Sequence, residues 1–468
     1  MISIILLSVF GILNLFLGFL RSNKVLLPGA MLLLLAVLGA NLADWSVLPA
    51  PQSYFNNMLV VDNYTVAFTG IVLLTTIVLL PFSRSYVLAG EANLAEYYAL
   101  LLFSLVGAIM MVGYDHLLML FVGIEILSVC MYVLAGSRKR DSRSNEAALK
   151  YFLMGAFATG ILLFGIALLY GATGTFVLSQ LAAAIAAPAN VSLAPMLYIG
   201  ILLMIIGIGF KVSAAPFHFW TPDVYEGTPT FFTAFMSTVV KTAGFAAFLK
   251  LLAVALPTAQ GFWLPTIQAM CALTLLLGNV GAAAQTSAKR MLAYSSVSHA
   301  GYLLIGLVAS QGRLTGPAAN GIFFYSLAYS IATIAAFGVL KLVAEHRQRD
   351  DYAGLNGLGK TNPLLAFTMT VAMLSLAGIP LTGGFFGKFF LLAAAAEQHN
   401  IGLVVFAVVM SMVGLYYYLR PLIAMYLRPA EEDATLVPVD GIQTATLALL
   451  ALLTLVLGIA PGFLSGLL

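Results

Sequence analysis

Fourteen stretches of roughly 20 apolar residues recur along this 468-residue chain, each long enough to cross the hydrocarbon core of a bilayer. They fall at about 2–20, 25–43, 63–83, 95–113, 115–136, 148–170, 194–220, 230–254, 262–283, 288–310, 315–343, 361–394, 401–427 and 441–463. Only 8% of the residues are charged and 62% are hydrophobic, where a soluble domain carries about 25% charged residues. Mean hydropathy is +1.02. No soluble fold of this length hides so much apolar side chain. The fold class is therefore all-α and polytopic, with lipid as the solvent. The first stretch lacks a basic lead-in and a small-residue cleavage site, so it reads as a retained span.

Two stretches run too long for a straight crossing. The seventh contains "GFKVSAAPFHFWTPDVYEG", residues 209–227, with Pro216 inside it. The twelfth contains "LSLAGIPLTGGFFGKFFLLAAAA", with Pro380, Gly383 and Gly384. Proline removes a helix donor and glycine loosens the helix. In hydrocarbon the freed backbone groups must be met by protein or water. Both stretches are expected to be broken helices lining a polar cavity.

Lysines and arginines set the orientation. The odd-numbered connections hold Arg21, Lys24, Arg84, Arg138, Lys139, Arg140, Arg143, Lys289, Arg290, Lys341, Arg347, Arg349, Lys360, Arg420 and Arg428; the even-numbered ones hold Lys250 and Arg313. The odd connections are thus expected on the cytoplasmic side of a bacterial inner membrane. Both termini then lie on the outer, periplasmic side.

Four lysines remain inside predicted spans: Lys150, Lys211, Lys241 and Lys388. Lys150 is near a span end, where it can snorkel to water. Lys241 sits mid-span in "STVVKTAGF", and Lys211 and Lys388 flank the two breaks. The one acid at depth is Glu125, in "FVGIEILSVCMYVL". A charge at the bilayer centre costs roughly 2.5–3.5 kcal/mol on insertion scales. A single ion pair pinning two helices would account for Glu125 and one lysine, not for the rest. Desolvation and mutual repulsion both favour neutral lysine, and a lysine poised to lose its proton is a proton carrier. Glu125 would modulate a neighbouring lysine. In "YSSVSHAGY", Ser295, His299 and Tyr302 form one stripe at helical spacing, and His218 follows the seventh-span break. His299 joins Glu125, Lys211, Lys241 and Lys388 as a relay candidate, and Ser295, Tyr302, His218 and Lys150 are secondary ones.

An internal repeat accompanies the charges. A shift of 174 residues places Tyr151, Leu153, Ala158 and Thr159 on Tyr325, Leu327, Ala332 and Thr333, and Glu125 on His299. A shift of 177 places Lys211 on Lys388. The order is the same in both halves: ionisable helix, tyrosine-rich helix, broken helix with lysine. Spans 4–8 and 9–13 would be two five-helix repeats, and an odd number of helices makes successive copies inverted. The expected units are residues 1–94, 95–260, 261–430 and 431–468. Cys130 and Cys271 lie in separate apolar runs, with no CxxC or Cys/His cluster for a metal or Fe–S site. No nucleotide-binding motif is present.

The segments "GFKVSAAPFHFWTPDVYEGTPT", "KRMLAYSSVSHAGYLL", "LSLAGIPLTGGFFGKF" and "GLYYYLRPLIAMY" resemble the antiporter-like membrane subunits of bacterial NADH-quinone oxidoreductase (respiratory complex I, NDH-1). The resemblance runs from about Tyr98 to Tyr426. "WTPDVYEG", Lys241 where sister subunits tend to carry histidine, and the lack of a long lateral helix after the last span favour the N branch over the L branch. The resemblance implies proton translocation driven by electron transfer in other chains. It maps the functional glutamate and lysines onto Glu125, Lys211, Lys241 and Lys388, and a connecting position onto His299. It implies no cofactor in this chain, since NADH, flavin, Fe–S clusters and quinone belong to partner subunits. The implied partners are other membrane subunits, neighbouring antiporter-like chains among them, with lipid, internal water and protons, and not nucleic acid. Two alternatives stand beside it: a subunit of a multi-subunit cation/proton antiporter, and a membrane scaffold that does not pump. A stand-alone solute carrier is disfavoured, because no anion- or sugar-selective cluster is present.

Overall fold

The computed structural model describes residues 1–19, 23–47, 51–88, 94–186, 194–430 and 436–464. Arg21, one of the orientation-setting cations, lies outside them. Nearly everything described is helix. Among the described residues twelve helices are long and apolar enough to span a bilayer. Two shorter apolar helices, Ile2–Leu17 and Pro363–Ala377, supply the first span and the first half of the twelfth. All fourteen expected segments are therefore helical, though the sixth, Ser142–Thr173, and the eleventh, Pro317–Arg347, are longer than expected.

Helix starts carry ordinary capping chemistry. The carboxylates of Asp62, Asp141 and Asp440 and the hydroxyl of Ser287 accept backbone N–H groups that the first turn leaves free. Asp440 and Gln443 close a reciprocal capping box. A small antiparallel hairpin, β1 (Gln52–Tyr54) and β2 (Leu59–Val61), precedes the third span. It defines one end of the bundle, where Asp115 N–H donates to the Met58 carbonyl at 2.9 Å. The opposite end gathers the ion pairs Arg84–Asp440, Lys150–Asp223, Arg290–Asp223 and Arg138–Glu345.

The two five-helix sets pack alike. The fourth span, Leu94–Gly113, lies along the fifth, Leu117–Ala135, as the ninth, Gln260–Ala283, lies along the tenth, Ala288–Ser310. The sixth packs on the seventh, and the eleventh on both halves of the twelfth. The fourth span runs towards the hairpin end, whereas the ninth starts there, so the sets are inverted. Close helix approach is made by small residues: a Cβ on Gly107 would meet the Gly123 carbonyl at 2.6 Å.

Both breaks are present, with their residues placed more finely than sequence allowed. The seventh span is helical over Ala194–Lys211, irregular over 212–219, and resumes as Trp220–Gly227. Pro216 sits in the irregular stretch. The twelfth is helical over Pro363–Ala377 and again over Gly383–Glu397. Pro380 lies between the halves, but Gly383 and Gly384 begin the second half. The turn itself is made by Gly378, at φ 87°, a left-handed conformation that glycine adopts without penalty. A Cβ there would also stand 2.9 Å from Lys388 Cδ. The eighth span, Thr230–Ala255, has two π-helical turns, Met236–Val240 and Leu251–Ala255, on either side of a regular segment from Lys241 to Lys250.

Three lysines expected in connections are instead buried in helices. Lys250 is on the eighth span, Lys289 in the first turn of the tenth, and Lys341 near the end of the eleventh. The stems of Lys289 and Lys341 reach polar atoms. Lys289 Nζ donates to the Glu226 and Thr228 carbonyls, and Lys341 Nζ donates to Ser85 Oγ and Glu345.

Candidate functional site

Lys211 is the last residue of the first half of its broken helix, so its stem leaves the helix at the C-terminal end. A helix C-terminus carries partial negative charge and favours a cation. Its Nζ donates to Ser128 Oγ at 2.8 Å and reaches Tyr151 Oη at 3.5 Å. Tyr151 stacks on Trp220 with centroids 4.7 Å apart, and the Trp220 indole N–H donates to the Phe210 carbonyl at 3.0 Å. These contacts fasten the second half of the break onto the first.

Lys388 stands on the other half of its own break. It projects from the second half of the twelfth span back to the end of the first. Its Nζ donates to the Ala377 carbonyl at 2.9 Å and to Ser411 Oγ at 3.3 Å. It also lies 4.6 Å from the centre of the Tyr302 ring, a cation–π contact.

Lys241 follows the first π turn of the eighth span. Its Nζ donates to the Ser296 carbonyl at 2.6 Å and to Ser296 Oγ at 2.5 Å. Tyr329 Oη donates to the same hydroxyl at 2.9 Å. The Tyr329 ring lies 4.7 Å from that of His299. His299 Nε2 is 2.9 Å from Tyr418 Oη, its Nδ1 is hydrogen-bonded to Tyr325 Oη, and Tyr418 Oη is 2.5 Å from Ser295 Oγ. The stripe of Ser295, His299 and Tyr302 thus faces inward as expected, between Lys241 and Lys388.

The first-half and second-half clusters meet at Tyr225. Its ring lies 5.9 Å from that of Trp220, and its helix packs on both the sixth and the tenth spans. Thr221 Oγ1 donates to Ser213 Oγ at 2.8 Å. From Lys211 to Lys388 the polar side chains form an almost continuous line through a buried core.

All three lysines are at least 93% buried, and among the described residues none has a carboxylate within 4 Å. Their partners are hydroxyls and carbonyls. A hydroxyl accepts from an ammonium and, after rotation, donates to an amine. The same site therefore accommodates the lysine with or without its extra proton, which a carboxylate partner would not do.

The other expected residues are placed as follows. Glu125 lies midway along the fifth span but is only partly buried, beside the exposed Val122 and Val129. It is near enough to act on Lys211 by charge, without pairing. His218 is in the irregular stretch, and its buried Nδ1 has no hydrogen-bond partner. Lys150 is away from the line. It pairs with Glu146 and Asp223, both at 2.8 Å, on the wall of a cleft of ≈ 280 Å³ shared with Arg290 and Glu226. Burial pushes the Asp223 carboxyl up, but Lys150 and Arg290 outweigh it and hold the group below the usual carboxylate range. Sequence reasoning did not single out Ser128, Ser296, Ser411, Tyr225, Tyr325, Tyr329 or Tyr418. Ser128 was within reach of pattern, since it stands three residues after Glu125.

Among the described residues no cluster of His, Cys, Asp and Glu suits a metal ion. Cys130 and Cys271 are buried and unpaired.

Residues 115–414 match the family model described as NADH:quinone oxidoreductase/Mrp antiporter, TM. The chain is 42% identical over 464 residues to NADH-quinone oxidoreductase subunit N of Cytophaga hutchinsonii, covering 99% of this chain and 98% of that one. It superposes on a chain of respiratory complex I from Thermus thermophilus with TM-score 0.84 and 36% identity, covering 99% of each. The fold is shared with a chain of the Mrp complex from Dietzia sp., at TM-score 0.86 and 23% identity over 99% of this chain and 95% of that one. With the broken helices, the inverted repeats and the buried lysine line in hand, these likenesses have one reading: the chain belongs to the NADH-quinone oxidoreductase subunit N family, within the antiporter-like membrane subunits.

Proposed function

We propose that this chain is a proton-translocating membrane subunit of NADH:quinone oxidoreductase in a bacterial inner membrane, with both termini on the outer side. Protons pass along Lys211, Lys241, His299 and Lys388, with Glu125 biasing Lys211 by its charge. Serine and tyrosine hydroxyls carry protons between them. The redox chemistry belongs to partner subunits, and this chain's share is transport. The observation that supports this most is the pairing of three buried lysines with neutral oxygens rather than carboxylates. Such sites hold a cation loosely and tolerate its loss.

The breaks contribute directly. Each places a lysine at a helix interruption: Lys211 ends the first half of the seventh span, and Lys388 donates to the Ala377 carbonyl that ends the first half of the twelfth, while the neighbouring irregular backbone gives water a reason to enter. The lysine–histidine–tyrosine line then needs only short reorientations to pass a proton on.

The test uses the assembled complex in sealed vesicles, following NADH oxidation and vesicle acidification together. Lys388→Ala and Lys241→Met remove the proton-bearing atom at single stations. Each is expected to leave the complex assembled and to lower acidification per NADH. A pump-competent Lys388→Ala variant would falsify the relay in favour of a scaffold. Sodium-dependent transport with unchanged proton movement would favour a cation antiporter instead.

A further inference from the structure

Three buried lysines stand outside the line above, and Lys250 differs from Lys289 and Lys341 in that its ammonium meets no oxygen among the described residues. It is 3% exposed, and its Nζ has no hydrogen-bond partner. It ends the regular helical segment that Lys241 begins, and the second π turn follows it directly. Nine residues of helix separate the two lysines by about 14 Å along the axis. Lys250 Nζ lies 5.8 Å from the centre of the Tyr114 ring.

Among the described residues, the charged groups that act on Lys250 are Asp62 and Asp115, both at the hairpin end. The start of the third span supplies Asp62 and Tyr64, and the connection between the fourth and fifth spans supplies Tyr114, Asp115 and His116. The short helix Leu178–Ala186 packs against the second π turn and brings no ionisable group. The carboxylates sit at a distance, acting by charge without closing an ion pair. Asp115 is held rigidly, its N–H on the Met58 carbonyl at 2.9 Å and its carbonyl taking the Leu178 N–H at 3.1 Å. Burial raises its carboxyl above the usual range, partly offset by Lys250. Asp115 and Asp62 are both partly exposed, so each touches solvent.

Between Lys241 and Lys250 two hydroxyls approach the helix. Tyr64 Oη donates to the Ala246 carbonyl at 2.8 Å and Tyr114 Oη to the Ala247 carbonyl at 2.9 Å. We propose that Lys250, with Asp62 and Asp115, is a further proton-exchange station, linking Lys241 to the hairpin face of the membrane. This rests on the relay reading above. In each passage the Lys250 ammonium becomes an amine as one carboxylate becomes an acid, and the acid then gives that proton to solvent. The reverse order serves uptake. An anchoring cation would need a close carboxylate; a carrier needs a free Nζ and an acid that reaches solvent.

The test again uses the assembled complex in vesicles, with Lys241→Met as the reference. Lys250→Met removes charge and proton together. Lys250→Arg keeps the charge but holds its proton at every working pH. Both are expected to leave NADH oxidation coupled to assembly intact and to lower acidification as far as Lys241→Met does. Wild-type acidification in Lys250→Arg would make Lys250 a structural cation and overturn the proposal, as would wild-type acidification in Lys250→Met. If neither variant assembles, Asp115→Asn decides: reduced acidification supports the station and an unchanged value overturns it. Should Lys241→Met itself pump normally, the relay reading falls, and the station with it.

Discussion

Ser296 carries two loads at once. Its carbonyl and hydroxyl both receive Lys241, and its hydroxyl also receives Tyr329. Ser296→Ala removes the part that can turn round and donate, while the carbonyl still holds the ammonium. Acidification in this variant is expected to fall, by less than in Lys241→Met, and Ser296→Thr should restore it by returning a hydroxyl. A neutral hydrogen bond contributes about 1 kcal/mol, so stability should shift by no more than that, which a thermal unfolding curve in detergent will read. At this scale the sequence was legible where an ionisable side chain stood in an apolar run. Glu125, Lys211, Lys241, His299 and Lys388 all met that criterion. It was silent on Ser296 and Tyr329, because a hydroxyl in a membrane helix is common and usually bonds its own backbone, as Ser330 does to the Ser326 carbonyl. Lys250 was misjudged because it stands near a span end, where a lysine ordinarily reaches water.

At the level of elements, the twelfth span depends on a close fit between its halves. A Cβ on Gly384 would lie 1.9 Å from the Ser375 carbonyl oxygen. That oxygen is backbone and has no easy way to move. Gly384→Ala is therefore expected to cost about 1–3 kcal/mol and to displace Lys388 from the Ala377 carbonyl. Gly160→Ala serves as the control, since nothing lies within 4 Å of that site and the helix is regular; it should be neutral or stabilising by up to about 1 kcal/mol. Thermal unfolding of both variants, with vesicle acidification, separates the two cases. The break itself was readable from Pro380 and the neighbouring glycines. Its turning point, Gly378, was not, because one glycine among several gives no sign of its φ. The π turns of the eighth span had no sequence signal at all: no proline or glycine marks Met236–Val240.

For the whole molecule, the two inverted sets are fastened at the end opposite the hairpin. Asp223, from the helix that follows the seventh-span break, pairs with Lys150 of the sixth span and with Arg290 of the tenth at 2.9 Å. Its carboxyl is held low by those cations against the effect of burial. The unfolded chain binds that proton more readily, so the contribution to stability is present above the ordinary carboxylate range, near pH 4. It is lost as pH falls through the lowered value. These pairs are partly open to solvent, so Asp223→Asn should cost about 1 kcal/mol or less at pH 7. Wild type and variant should then converge in acid, which unfolding curves at pH 7 and pH 3 would test. Number and order of spans, and the inverted repeat, were legible from hydropathy and spacing alone; the clamp was not, because it joins residues far apart in the chain.

Much apolar surface stays uncovered on the sixth and thirteenth spans, where only 33% and 28% of the most apolar windows are buried. Glu125 stands half-open on another such flank, beside Val122 and Val129. A chain laid against this wall would bury that carboxylate from outside and change the field at Lys211 without touching it. The seam between two neighbours would then work as a tuning knob, and what one molecule does next would be set by who is standing beside it.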